Sequence, residues 1–375
     1  MTLVQGTTTA KFDGLRDQLE TSLAIGDDVG ASIAVIHHGE VVCDLWGGYR
    51  DEAKTVPWER DTLVNVWSTT KTMTFLVALM LYDRGELDVD ERVSKYWPEF
   101  ASNGKGEIEV RHLMNHCAGL SGFTDQIQSE DLADWDRCVE DLANQTPWWD
   151  DRSLTGYHAL TQGYLIGEVV RRVTGTTIGQ FFKSEVADVL AADFFIGLPE
   201  SEEARVSLVI PPSTAEPFPS DQSSIRYRTL NSPRIDAAAP HQRWWRAAEI
   251  PAANGHGNAR SVATIQQIIA NNGHADGHRF FSEKTGDKVF QVQTSSMDQV
   301  LDFNVNFGLG YGLTSSDVPL GPRACYWGGY GGSVIIMDQD IALTVAYMMN
   351  KMQFGLVGDT RGPAFAFAAA IAAVS

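Results

Sequence analysis

The apolar positions fall into two kinds of pattern, and their order along the chain is informative. Near the start, residues 31–37 and 40–46 are rich in β-branched residues and are separated only by His38-Gly39, which predicts a β-hairpin. Far downstream, 325–327, 333–338 and 341–349 also read as strands, with Asp338-Gln339-Asp340 as the turn between the last two. The middle is helical in pattern. A helix is expected over 69–84 with Gly85 at its C′ position, and its interior Phe75-Leu76-Val77-Ala78-Leu79-Met80-Leu81 is apolar on every face. A helix of that kind is buried all round. Further helices are expected at 108–116, 130–144, 158–174 and 177–190. In the third of these, Glu168 and Arg172 at i and i+4 suit an exposed side.

The stretch 198–255 carries Pro211, Pro212, Pro217, Pro219, Pro233, Pro240 and Pro251 and reads as long irregular loops. A helix over 259–271 follows, with Asn258 as a candidate cap, and helices at 11–25 and 362–374 close the two ends. The last of these is expected to be buried on one side. Sequential hairpins imply antiparallel pairing. The expected fold is therefore an α/β (α+β) architecture. An antiparallel sheet is built from both chain ends, 1–66 and 256–375, and flanked by helices. A mainly helical domain, 67–255, is inserted between them.

Composition narrows the function classes. The 375 residues, of which 43% are hydrophobic, suit a globular enzyme of about two domains at roughly 150 residues each. The formal charge of −19 argues against nucleic acid or an anionic membrane as partner, because both would be repelled. The longest apolar runs, 75–82 and 364–374, fall short of the roughly 20 residues of a membrane span. Cysteines 43, 117, 138 and 325 form no C-x-x-C and read as reduced, packed thiols. The opening Met1-Thr2-Leu3-Val4 has no leader pattern, so a cytoplasmic protein is expected.

The sharpest chemical signal is Ser68-Thr69-Thr70-Lys71. Ser68 follows a β-like run, Leu63-Val64-Asn65-Val66-Trp67, and opens the buried helix. Residues three apart share a helix face, so Lys71 can reach Ser68. Burial lowers a lysine's pKa and fits it to act as a base. The competing reading is an N-cap serine with a snorkelling lysine. A second match, Ser102-Asn103-Gly104-Lys105, lies in a polar loop without apolar support. A Ser-Lys nucleophile also needs a proton relay and an oxyanion site. Tyr157, just ahead of a helix, is the candidate relay. Trp327-Gly328-Gly329-Tyr330-Gly331-Gly332 is the candidate oxyanion strand, since glycines at a strand edge permit close approach. His112 and His116 have a spacing that can hold zinc, but no H-E-x-x-H is present and no metal is expected. No nucleotide loop and no G-x-S-x-G elbow occurs. The pairs Trp148-Trp149 and Trp244-Trp245 suit core contacts or the wall of an apolar pocket.

Taken together, these segments resemble the serine β-lactamase-like family, and most of all its family VIII carboxylesterases, over about residues 12 to 374. Trp67-Ser68-Thr69-Thr70-Lys71 is similar to the nucleophile box. The segment from Val110 to Leu120 is similar to the H-L-L-x-H-x-S-G-L segment, and Tyr157-His158-Ala159-Leu160-Thr161 to the tyrosine box. Phe307-Gly308-Leu309-Gly310-Tyr311-Gly312 and Trp327-Gly328-Gly329 are similar to the later segments. The resemblance implies a serine esterase with Ser68, Lys71 and Tyr157 as catalytic residues. It also implies the backbone N–H groups of Ser68 and Tyr330 as oxyanion donors, Trp327, Gly328 and Gly329 at the substrate, and no cofactor. Two departures point away from β-lactams. No asparagine stands two residues after Tyr157, and Trp327-Gly328-Gly329 replaces the K-T-G that would bring a second cation. The literal Lys284-Thr285-Gly286 lies in a charged, helix-like stretch and is a decoy. The expected substrate is an uncharged small-molecule ester.

Overall fold

In the computed structural model, residues 4–213 and 218–375 are described. Pro217 of the proline-rich stretch and the first three residues of the chain lie outside them. A nine-stranded antiparallel sheet takes three strands from the N-terminal end: β1 (Gln5–Thr8), β2 (Gly30–His37) and β3 (Glu40–Gly48). Six more come from the C-terminal end: β4 (Thr294–Met297), β5 (Asn304–Phe307), β6 (Gly312–Leu313), β7 (Ala324–Gly328), β8 (Val334–Asp338) and β9 (Leu343–Met349). Their spatial order is β1-β3-β2-β9-β8-β7-β6-β5-β4. The two ends meet where β9 pairs with β2, Val345 opposite Val35. Both of these strands are mostly apolar. They are buried on both faces because helices cover both sides.

Helices α1 (Gly14–Ile25), α4 (Ala259–Ala270) and α5 (Arg361–Val374) pack on the sheet. Asn258 caps α4, its side chain accepting from the Ser261 N–H at 2.9 Å. α5 buries Phe365 and Ala369 and leaves Phe367, Ile371 and Val374 outward, the expected one-sided burial. The helical part is organised round α2 (Lys71–Asp83), which a short 3-10 turn, Trp67–Thr70, introduces. Every residue from Lys71 to Leu81 is buried, and α2 packs against α3 (Thr161–Thr174). Gly85 ends it at φ 71°, as its C′ position requires. Truncating Leu76 or Leu79 to alanine would cost about 2–5 kcal/mol by cavity formation.

Several expectations shift on contact with the structure. The 108–116 helix is only Val110–Met114, because His116 turns out of it at φ 64°. The 130–144 helix splits at Asp134, which caps Trp135–Asn144 by accepting from the Arg137 N–H. The 177–190 helix is α over Ile178–Phe182 and π over Lys183–Ala187. Glu168 is not on an exposed side: it is fully buried and accepts from Arg171, Arg172 and the Trp135 indole. Three donors offset its burial. Strands β4–β6 and β1 were not expected, because each is only two to four residues long; antiparallel pairing with neighbouring strands holds them.

Candidate active site

The nucleophile segment sits where the sheet meets the helical part. The backbone of Val66 donates to Gly255 O, and the Gly255 N–H donates to the Thr70 hydroxyl at 2.8 Å. Trp67 stands at φ 49°, a left-handed conformation that costs about 1–3 kcal/mol for a bulky residue. Its ring is clamped between Trp245 and Tyr330, at 5.5 and 5.4 Å between centroids. Ser68 lies on the wall of a cavity of about 590 Å³.

Lys71 has no exposed surface. Its Nζ lies 2.7 Å from Ala159 O, 2.9 Å from Ala252 O and 3.3 Å from Ser68 Oγ. Burial pushes its pKa well below the ordinary lysine range. In the neutral amine the two carbonyls take both N–H groups. The lone pair then faces Ser68, whose hydroxyl can donate to it. The snorkelling alternative fails because no path to solvent is used. Tyr157 is also fully buried, with Lys71 Nζ 4.6 Å from its ring centroid. Burial pushes its phenol well above the usual value, opposed by the Ser68 and Trp327 side chains that face it. Among the described residues its hydroxyl completes no hydrogen bond of good geometry, and neither does the Trp327 indole N–H.

The glycine strand crosses directly behind the nucleophile. A Cβ on Gly329 would run into Val66 O, Ser333 Oγ and Trp67 Cβ, so the close approach excludes any side chain there. Ser333 ties the crossing together, donating to Val66 O at 2.7 Å and lying 3.0 Å from Thr69 Oγ1. Arg361 holds the next turn by donating to Gly331 O, and is itself fixed by Asp28 and Asp359. The structure thus brings Ser68, Lys71, Tyr157 and Tyr330 together. Ser68, Tyr157 and Tyr330 line the cavity. Trp327, Gly328 and Gly329 stand one layer behind it, with Trp327 packed on Tyr157 at 5.4 Å.

Three supporting residues had no signal in the sequence: Ser333, Arg361 and Asp298. Asp298 is buried, and its Oδ1 accepts from the N–H groups of Tyr157, Val300 and Leu301 at 3.0, 2.8 and 2.9 Å. It pins the tyrosine's backbone to a distant turn. The histidines are structural in geometry. His116 Nδ1 accepts from the His158 N–H, and His158 Nε2 accepts from the Leu120 N–H. His112 Nδ1 accepts from the Glu109 N–H. Burial lowers the pKa of all three, to about 3 for His158 and about 4 for His112. Neither tryptophan pair lines the cavity. Trp245 backs Trp67, and Trp148 lies under Arg228. Lys284-Thr285-Gly286 is helical, within Glu283–Val289, and Thr285 donates to Asp83.

Much of the remaining cavity wall comes from the proline-rich stretch, which is not all loop as expected, since Ile225–Leu230 and Arg243–Ala247 are short helices. Pro211, Pro212, Phe218 and Pro219 face Leu230, Pro233 and Ile235. The wall is largely apolar, which suits a small organic substrate.

Known proteins carry the same arrangement of chain. The family model described as Beta-lactamase matches residues 15–369. The "Esterase/beta-lactamase LipL" of Mycobacterium tuberculosis is 35% identical over 344 residues, covering 88% of this chain and 78% of that protein. The crystal structure of a family VIII carboxylesterase superposes with a TM-score of 0.92 at 37% identity, covering 98% of this chain and 99% of the other. A penicillin-binding protein homologue from Caulobacter crescentus gives the same TM-score at 33% identity, over 98% and 99%. Among the described residues no helix is long and apolar enough to cross a membrane. The chain belongs to the beta-lactamase family, in its family VIII carboxylesterase branch.

Proposed function

We propose that the protein hydrolyses carboxylic esters of small molecules through an acyl-enzyme on Ser68. The observation that carries this reading is the setting of Lys71, whose buried Nζ lies 2.7 and 2.9 Å from two carbonyls and 3.3 Å from Ser68 Oγ at the floor of an apolar cavity. Lys71 takes the proton as Ser68 Oγ bonds to the ester carbon. The oxyanion accepts from the N–H groups of Ser68 and Tyr330. Losing one such donor typically costs about a hundred- to a thousandfold. The C–O bond then breaks, and the proton passes by way of Tyr157 to the leaving alkoxide, giving the alcohol. Water attacks the acyl-enzyme, and the same relay returns the proton to Ser68. Lys71 and Tyr157 act as a coupled pair. Trp327, Gly328 and Gly329 support this site from behind, and the route calls on no cofactor. Four free, buried cysteines suit a reducing compartment, and we place the protein in the cytoplasm.

A second reading on the same scaffold is β-lactam or D-amino-acid peptide cleavage, favoured by the words "Esterase/beta-lactamase" in a relative's name. Trp327 stands where that chemistry would bring a second cation. A panel of 4-nitrophenyl butyrate, a penicillin and a D-Ala-D-Ala peptide separates the two. Fast turnover of the ester alone is expected. Penicillin or peptide turnover matching the ester would favour the second reading, and no turnover of the ester would overturn the first.

A further inference from the structure

The cavity wall carries two arginines, Arg226 and Arg234, on the same surface as Ser68. Elsewhere the arginines are mostly tied to carboxylates, as in Arg84–Glu185, Arg205–Asp193 and Arg246–Glu203. Among the described residues these two have no carboxylate partner. Arg226 is half-buried and donates one N–H group to Val300 O at 2.5 Å. Arg234 is exposed and sits over Phe218, its guanidinium carbon 4.3 Å from the ring centroid. A guanidinium has five N–H donors, and stacking leaves its edge free. The one carboxylate on the wall, Asp236, accepts from the Ala238 N–H at 2.8 Å and pairs with neither arginine. In a chain of charge −19, two cations without a carboxylate partner face one cavity.

We propose that this wall selects esters that carry a second, anionic group, a carboxylate at the far end of the acyl or the alcohol chain. The apolar floor takes the chain and the arginines take the carboxylate, with the planar fork geometry that arginine offers. The proposal rests on the esterase reading and replaces the expectation of an uncharged substrate. That expectation turned on the position of Trp327, while the cations arrive from the proline-rich stretch, with Arg226 on its short helix Ile225–Leu230.

The test compares matched pairs on the whole protein. Mono-4-nitrophenyl adipate against 4-nitrophenyl hexanoate probes the acyl side, and 4-acetoxybutanoate against butyl acetate probes the alcohol side. In at least one pair the anionic ester should lead in kcat/KM by about tenfold, since charge-assisted hydrogen bonds are the strong ones and Arg226 is half-buried. Added salt should shrink the lead. The double variant Arg226→Met/Arg234→Met should bring the ratio near one, and Arg234→Lys should keep part of it. Circular dichroism checks that each variant is folded. If the double variant does not fold, Arg234→Met alone and the salt dependence of the wild type decide. Ratios of one or less in both pairs of the wild type, or a ratio untouched by the substitutions, would overturn the proposal. Failure of the wild type to cleave any of the four esters would instead strike the esterase reading.

Discussion

The chain holds two Ser-x-x-Lys segments, and both lysines are inaccessible to solvent. At Ser68–Lys71 the spacing falls on a helical turn, so the two side chains share a face and Nζ approaches Oγ. At Ser102–Lys105 the backbone turns through Asn103 and Gly104, both at positive φ. There Lys105 donates to the serine's carbonyl and to Gln145 O, while the Ser102 hydroxyl is spent on Ala143 O at 2.7 Å. Burial lowers both lysines, Lys105 to about 8. A depressed lysine is therefore not enough for a base. The difference is whether its lone pair meets a hydroxyl that has no other acceptor, beside a cavity that admits substrate.

The sharpest break between the two segments is expected from the serines. Ser68→Ala should cost at least about a thousandfold in ester turnover, and Ser102→Ala should leave the wild-type rate. Residual turnover near wild type in Ser68→Ala would remove the distinction. The lysines come next. Lys71→Met should lower kcat by about a hundred- to ten-thousandfold, the range of general acid–base catalysis. Lys105→Met should keep activity but lower the melting temperature, because the carbonyls of Ser102 and Gln145 lose their donor at about 1–3 kcal/mol each.

The pH dependence has a definite sign. Protonated Lys71 cannot accept the Ser68 proton, so kcat/KM should fall as pH drops through the lysine's folded pKa, which lies well below 10.5. A profile that rises only near 10.5 would contradict a buried, neutral base. Smaller effects should come from the supports. Gly329→Ala forces the strand away from Val66 and should lower kcat by about a hundredfold, comparable with losing an oxyanion donor. Asp298→Asn replaces an acceptor of three N–H groups and should lower kcat by about tenfold with KM little changed, since misplacing a catalytic group costs rate.

Much of this site was legible before the structure because its signals are local. An all-apolar helix, a serine at its start, a lysine one turn on and a glycine-rich strand edge can each be read within a few residues. The hairpin of β2 and β3 and the Asn258 cap are local in the same sense. The supports were not legible because they act across the chain. Asp298 reaches Tyr157, and Ser333 reaches Val66, over separations that no short pattern records. Glu168 was misjudged for a related reason: its i+4 arginine was visible, but the Trp135 that buries it was not. The cavity wall was the least legible, because loops rich in proline have no periodicity to show which side chains turn inward.

The central claim is that Ser68, and not Ser102 or another hydroxyl, becomes acylated with Lys71 as its base. Peptide mass spectrometry after treatment with a 4-nitrophenyl alkylphosphonate tests it most directly. One phosphonyl group is expected on the peptide containing Ser68, formed rapidly in the wild type and slowly in Lys71→Met. Labelling at Ser102, or labelling of Ser68 at the same rate in both proteins, would contradict the account.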